Sequence, residues 1–102
     1  MGSLVDGVTI VIAKDEDISK GVEKAIPSFT GWTLYLKTKG AIDIVIQLSP
    51  DNGKTWFEIF ESPVSFATAG DKVIKLNYDA THVKLIGSNT TQVTAIIRGL
   101  ID

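Results

Sequence analysis

Few side chains in this chain of 102 residues carry the kind of chemistry from which an active site is built. It has no cysteine, which excludes disulfides, thiolate nucleophiles and Cys-ligated zinc together. His82 is the single histidine. Within Thr81-His82-Val83-Lys84-Leu85 the alternation turns it away from Val83. A Ser/His/Asp triad needs a nucleophile and a third group to orient the imidazole, and no Gly-x-Ser-x-Gly elbow accompanies the plentiful Ser and Asp. Two acidic groups stand out, Asp15-Glu16-Asp17 and the pair Glu58 and Glu61. Paired carboxylates hydrolyse glycosides when they flank the scissile bond, but Asp15 to Asp17 fit a turn, where acids solvate well without any function. The expectation is a protein that is not an enzyme, with no catalytic residue, cofactor or metal.

The densest constellation is Ser49-Pro50-Asp51-Asn52-Gly53-Lys54-Thr55-Trp56, followed by Phe57-Glu58-Ile59. Asp51, Asn52 and Glu58 offer oxygens to calcium, but the loop lacks the Asp-x-Asp-x-Asp-Gly ligand spacing. An exposed aromatic beside a turn could also meet a sugar. The residue types point first to a structural corner. Asp51 can accept turn N–H bonds and Gly53 supplies a positive φ. Ser49 can bond locally, and Trp56 can fold its ring under the corner to seal it. The run matches the Asp-box, Ser-x-Asp-x-Gly-x-Thr-Trp, at every specified position. In the sialidases and related proteins that carry it, the box resembles a hairpin remote from catalysis. One box in 102 residues does not make a sialidase propeller.

The elements that hold these residues are strands. Apolar side chains alternate at period two through Val8–Lys14, Trp32–Thr38, Ala41–Ser49, Thr55–Phe60, Lys72–Tyr78, His82–Ser88 and Gln92–Leu100. In the first run Val8, Ile10 and Ile12 share one face, and Thr9, Val11 and Ala13 the other. Trp32, Leu34 and Leu36 point inward, as do Ile42, Ile44, Ile46 and Leu48. Asp15–Ile26 carries a partial helical stripe, but Gly21 interrupts it and Pro27 ends it, so a turn and a short strand at Val22–Ile26 are expected. Asn89-Thr90-Thr91, formally a glycosylation acceptor, reads as a polar hairpin loop. Strands at about ten-residue spacing describe an all-β fold. The expectation is a single antiparallel β-sandwich domain over 1–102, jelly-roll-like, of about 7–8 strands, with residues 1–7 a flexible arm. A net charge of −2 with scattered Lys and Arg argues against nucleic acid and anionic membrane. Neither a secretory signal nor a run long enough to span a bilayer is visible.

Read with its flanks, the corner belongs to a wider pattern. A strand–turn–strand unit precedes it, and Lys72–Tyr78, His82–Ser88 and a closing Gln92–Leu100 follow. This order resembles small β-sandwich structural proteins of tailed phages, prophages and related viruses, whose hairpin often reads Ser-x-Asp-Gly-x-x-Trp where this chain has Asp-Asn-Gly. The resemblance spans about residues 8 to 100. It implies a decorating or virion role, residence in the virion, contact with a capsid or tail protein, and assembly as a homo-oligomer, with a trimer favoured. The residues add an argument of their own. Val11 stands beside Ile10 and Ile12, Val45 beside Ile44 and Ile46, Phe57 beside Trp56, and Ile96 beside Ala95 and Ile97. Such doubling gives both faces of a strand an apolar surface, and a small sandwich has one interior. Val11, Val45, Phe57 and Ile96 are therefore candidate interface residues. The rival reading is a carbohydrate-binding module, which would expose clustered Trp or Tyr side chains on one surface or on loop tips.

Overall fold

The computed structural model describes residues 6–101. They form nine strands and, among the described residues, no helix. The strands are β1 (Asp6–Asp17), β2 (Val22–Ala25), β3 (Gly31–Thr38), β4 (Ile42–Ser49), β5 (Phe57–Glu58), β6 (Val64–Phe66), β7 (Gly70–Leu76), β8 (His82–Gly87) and β9 (Gln92–Ile101). They pair antiparallel in two sheets, ordered β1-β9-β3-β7 and β2-β8-β4-β5, with β6 also on β4. Consecutive strands lie in opposite sheets except β4, β5 and β6, which share one, a connectivity like that of a jelly roll.

The core follows the period-two pattern. Trp32, Leu34 and Leu36 from β3 and Ala95 and Ile97 from β9 face Ile44, Ile46 and Leu48 from β4 and Val83 and Leu85 from β8, all buried. Each of the Leu, Ile and Val side chains among them contributes about 1.5–3 kcal/mol of transfer free energy. Trp32 also satisfies its polar edge, its Nε1–H donating to the Tyr78 carbonyl at 2.8 Å. Phe29 stacks on Trp32 with ring centroids 6.2 Å apart. It lies so close over Gly99 that a side chain at 99 would displace the ring.

Four expectations change. The fold has nine strands rather than 7–8 because one edge strand is split: β5 pairs with Gln47–Leu48 and β6 with Ile42–Ile44 of the same β4. The run at Thr55–Phe60 therefore contributes only two ladder residues, and β6 was not anticipated. Asp15 to Asp17 lie in β1, not in a turn; the turn comes after them, closed by the Gly21 N–H on the Ile18 carbonyl at 3.0 Å. Ala13 is buried with Ile12, not opposite it, because the β1–β9 register shifts on either side of Ala13. A bulge of this kind places two successive side chains on one side. Asp15 takes a positive φ of 49° there, and its N–H donates to Thr94 Oγ1 at 3.0 Å. Finally, Asp6 and Gly7, assigned to the flexible arm, pair with Ile101 and Leu100; residues 1–5 of that arm lie outside the described residues.

Candidate functional site

The corner between β4 and β5 is a closed hydrogen-bond cycle. Ser49, fully buried, donates its hydroxyl to Asp51 Oδ1 at 2.8 Å and accepts the N–H of Gly53 at 2.8 Å and of Asp51 at 3.3 Å. Asp51 Oδ1 also accepts the Thr55 N–H at 2.8 Å. Thr81 bolts the corner to the strand end. Its N–H and hydroxyl donate to the Ser49 carbonyl at 2.8 and 3.0 Å, and its Oγ1 accepts the Asn52 N–H at 2.8 Å. Gly53 has φ 86° and Asn52 φ 63°, conformations that glycine and asparagine tolerate best. Hydrogen bonds from Thr55, then from the Ser49 hydroxyl, hold the Asp51 carboxyl below the usual carboxylate range.

Trp56 covers this cycle from outside the sheet. Its ring lies beside Gly53 and beneath the Lys84 ammonium, 4.3 Å from the ring centroid, and Lys84 pairs in turn with Glu23 at 3.8 Å. The stacked cation adds a modest attraction. His82 is half-buried at the same end of β8, with Nδ1 3.1 Å from Thr81 Oγ1. The oxygens considered for calcium are engaged locally or apart: Asp51 as above, and Glu58 accepting the Ser62 hydroxyl at 2.7 Å. Glu61 accepts the Tyr78 hydroxyl at 2.7 Å, which raises the phenol above its ordinary range. Among the described residues no three His, Asp or Glu side chains gather into a metal-binding group. No helix among them is long and apolar enough to cross a membrane.

The outer faces of the two sheets differ. On the β2-β8-β4-β5 sheet, Glu23, Lys84, Gln47 and Glu58 form one cross-strand line of polar side chains, beside a half-buried Val45–Ile86 pair. On the β1-β9-β3-β7 sheet, the register aligns Val11 with Ile96, Ile96 with Tyr35, and Tyr35 with Val73. An apolar row thus crosses all four strands. Val11 is 47%, Tyr35 43% and Val73 63% exposed, with Ile96 half-buried between them. Polar rows border it: Thr9, Arg98, Thr33 and Lys75 on one side, Thr94, Lys37 and Asp71 on the other. Lys37 and Asp71 pair at 3.0 Å, and Arg98 donates to Thr9 Oγ1 at 2.8 Å. Tyr35, Val73 and Ile96 line a shallow depression of about 170 Å³ at the β3–β7 end of the row.

The four candidate interface residues do not form one surface. Val11 and Ile96 are neighbours in the row. Val45 lies on the other sheet's outer face, paired with Ile86. Phe57, 59% exposed, pairs with Leu48 at the sheet edge, where it shares a hollow with Pro50 and with Phe60, itself 94% exposed. Trp56 and Phe57 do take opposite sides, but neither enters the core, whose place there is filled by Ile59. Val73 was missed as an interface residue, although Val73-Ile74 repeats the same doubling, and Tyr35, which alternates with the inward Leu34 and Leu36, was missed with it.

No protein-family model matches the chain, and no curated protein matches it. Solved structures do share its fold. The SPBc2 prophage-derived protein YomS superposes with a TM-score of 0.64 at 12% identity, covering 99% of this chain and 98% of that one. The Bacillus endospore appendages, described as disulfide-linked pili, give 0.56 at 13%, covering 95% and 84%. A family 29 carbohydrate-binding module complexed with cellulohexaose gives 0.53 at 10%, covering 92% and 91%. At such identities the likeness is one of fold.

Proposed function

We propose that this chain is a non-catalytic structural subunit of a phage- or prophage-type particle, which self-associates and decorates or stabilises a capsid or virion lattice. The observation that carries the reading is the apolar row Val11–Ile96–Tyr35–Val73 on the outer face of the β1-β9-β3-β7 sheet. Three of its four members are more than two-fifths exposed in the single chain. A solvated outer face of an antiparallel sheet ordinarily reads polar, and a continuous apolar band there marks a surface made to be covered. The whole-length likeness to a prophage-derived protein supports this direction, as does the likeness to pilus subunits, which are assembled chains.

Carbohydrate binding is the second reading, favoured by Tyr35 on an open sheet face and by the module's fold. Stacking on sugar rings needs free aromatic faces. Here Trp32 is in the core and Trp56 lies beneath Lys84, which leaves Tyr35 as the aromatic of the row. Sedimentation velocity over a concentration series, with wild type and Val73→Lys, tests the assembly reading. Wild type should sediment as more than one chain and Val73→Lys as one. Retardation of a monomeric wild type in gels containing soluble cellulose derivatives, abolished by Tyr35→Ala, would instead establish the sugar reading.

A further inference from the structure

The polar borders of the apolar row carry information about how two copies would meet. On β7, Asp71 and Lys75 stand two residues to either side of Val73, on the same outward face. On β9, Thr94 and Arg98 flank Ile96 in the same way, and on β3 Thr33 and Lys37 flank Tyr35. One border therefore holds Arg98 and Lys75 with no carboxylate in its row. The other holds Asp71 and Lys37, already paired to each other at 3.0 Å. Among the described residues neither Arg98 nor Lys75 forms an ion pair.

Resting on the assembly reading above, we propose that the partner of this face is a second copy of the chain, packed face to face about a two-fold axis that runs along the row. That rotation lays each strand against its own equivalent. Val73 meets Val73, Tyr35 meets Tyr35, Ile96 meets Ile96 and Val11 meets Val11, the self-matching contact of an isologous interface. It also exchanges the two borders. Lys75 of each copy comes to stand over Asp71 of the other, Arg98 over Thr94, and Lys37 over Thr33. Two new cross-copy ion pairs form symmetrically, and no cation faces a cation.

The competing in-plane axis, along the strands, reverses strand order instead of strand ends. It stacks the Arg98–Lys75 border on its own copy, crowding four cations into one line, and turns Asp71 towards the bulged, acidic end of β1. Like-charge juxtaposition across an interface suppresses that arrangement. The charge pattern thus selects a dimer, where the resemblance to decoration-type proteins favours a trimer.

The face is small. Four strands about 4.8 Å apart and three outward rows about 7 Å apart give a patch of roughly 400 Å² in projection per copy, at the low end for a specific contact. The dimer should therefore dissociate on dilution, and its cross-copy charges should make it sensitive to salt.

Charge exchange is the test, read by sedimentation equilibrium with melting temperature as the check on folding. Wild type should fit a monomer–dimer equilibrium built on the 11.0 kDa chain. Lys75→Asp and Asp71→Lys should each weaken dimerisation by about tenfold or more, since each places like charges opposite one another. The double variant Lys75→Asp with Asp71→Lys should recover it, because the exchanged charges again meet their opposites. If both single variants dimerise as wild type does, or the double variant fails to recover, while Val73→Lys still dissociates the assembly, the two-fold arrangement is wrong and the apolar row stands. If Val73→Lys leaves the assembly intact, the row is not the interface and both readings fall.

Discussion

Ser49→Ala isolates the corner, because the substitution removes one oxygen from a site that solvent does not reach. The hydroxyl makes two hydrogen bonds of 2.8 Å, to Asp51 Oδ1 and from Gly53 N, and a longer one of 3.3 Å from Asp51 N. Its residue is 0% exposed. Alanine keeps the packing but leaves the Gly53 N–H without its acceptor. A net hydrogen bond is worth about 0.5–1.5 kcal/mol and a stranded buried donor costs about 1–3 kcal/mol, so the loss should be about 2–3 kcal/mol. For a domain of this size that is a fall of roughly 10–20 °C in melting temperature. Urea unfolding should show a lower midpoint with an unchanged slope, the mark of lost stability without altered compactness. A melting temperature within about 3 °C of wild type would refute the reasoning. It would mean that the corner is held by Thr81 and Trp56 alone.

Gly53→Ala should cost about 1–2 kcal/mol through its φ of 86°. A side chain there meets the Trp56 ring at an ordinary 3.6 Å, so packing adds nothing and unchanged urea stability would contradict the account. Asp51, whose folded pKa is lowered, contributes stability that is full above its unfolded value near 3.9 and is lost as pH falls through the folded value. Asp17, lowered by its hydrogen bonds with Ser19, acts in the same direction. Melting temperature should therefore fall as pH drops below about 4, and Asp51→Asn should flatten that acid limb; an unchanged limb would count against the assigned bonds. Treatment with a strong chelator should leave melting temperature and sedimentation unchanged, whereas calcium-dependent stabilisation would reopen the metal reading of Ser49–Ile59.

Much of this fold was legible because burial on one face writes a period of two. Trp32, Leu34 and Leu36, and Ile42 to Leu48, point where the alternation placed them. The corner was legible in residue types because each one performs a local task. The bulge at Ala13 was not, since a register shift depends on what β9 offers opposite it. β6 was hidden because three residues pair with β4 beyond an irregular segment. The candidate face was half legible. Doubled apolar residues revealed that Val11 and Ile96 face outward from the core, but neighbours on a face are fixed by strand order. Only the β1-β9-β3-β7 order brings Tyr35 and Val73 into line with them and separates Val45 and Phe57.

The claim that the outer face of the β1-β9-β3-β7 sheet is the assembling surface is tested most directly by methyl-resolved NMR over a dilution series from millimolar to low micromolar protein. The methyl signals of Val11, Val73 and Ile96 should shift or broaden together with concentration. Those of Val45 and Ile86, on the opposite sheet, should stay fixed. Movement at Val45 and Ile86 with a silent Val11–Ile96–Val73 set would contradict the account, as would spectra that do not change with concentration at all.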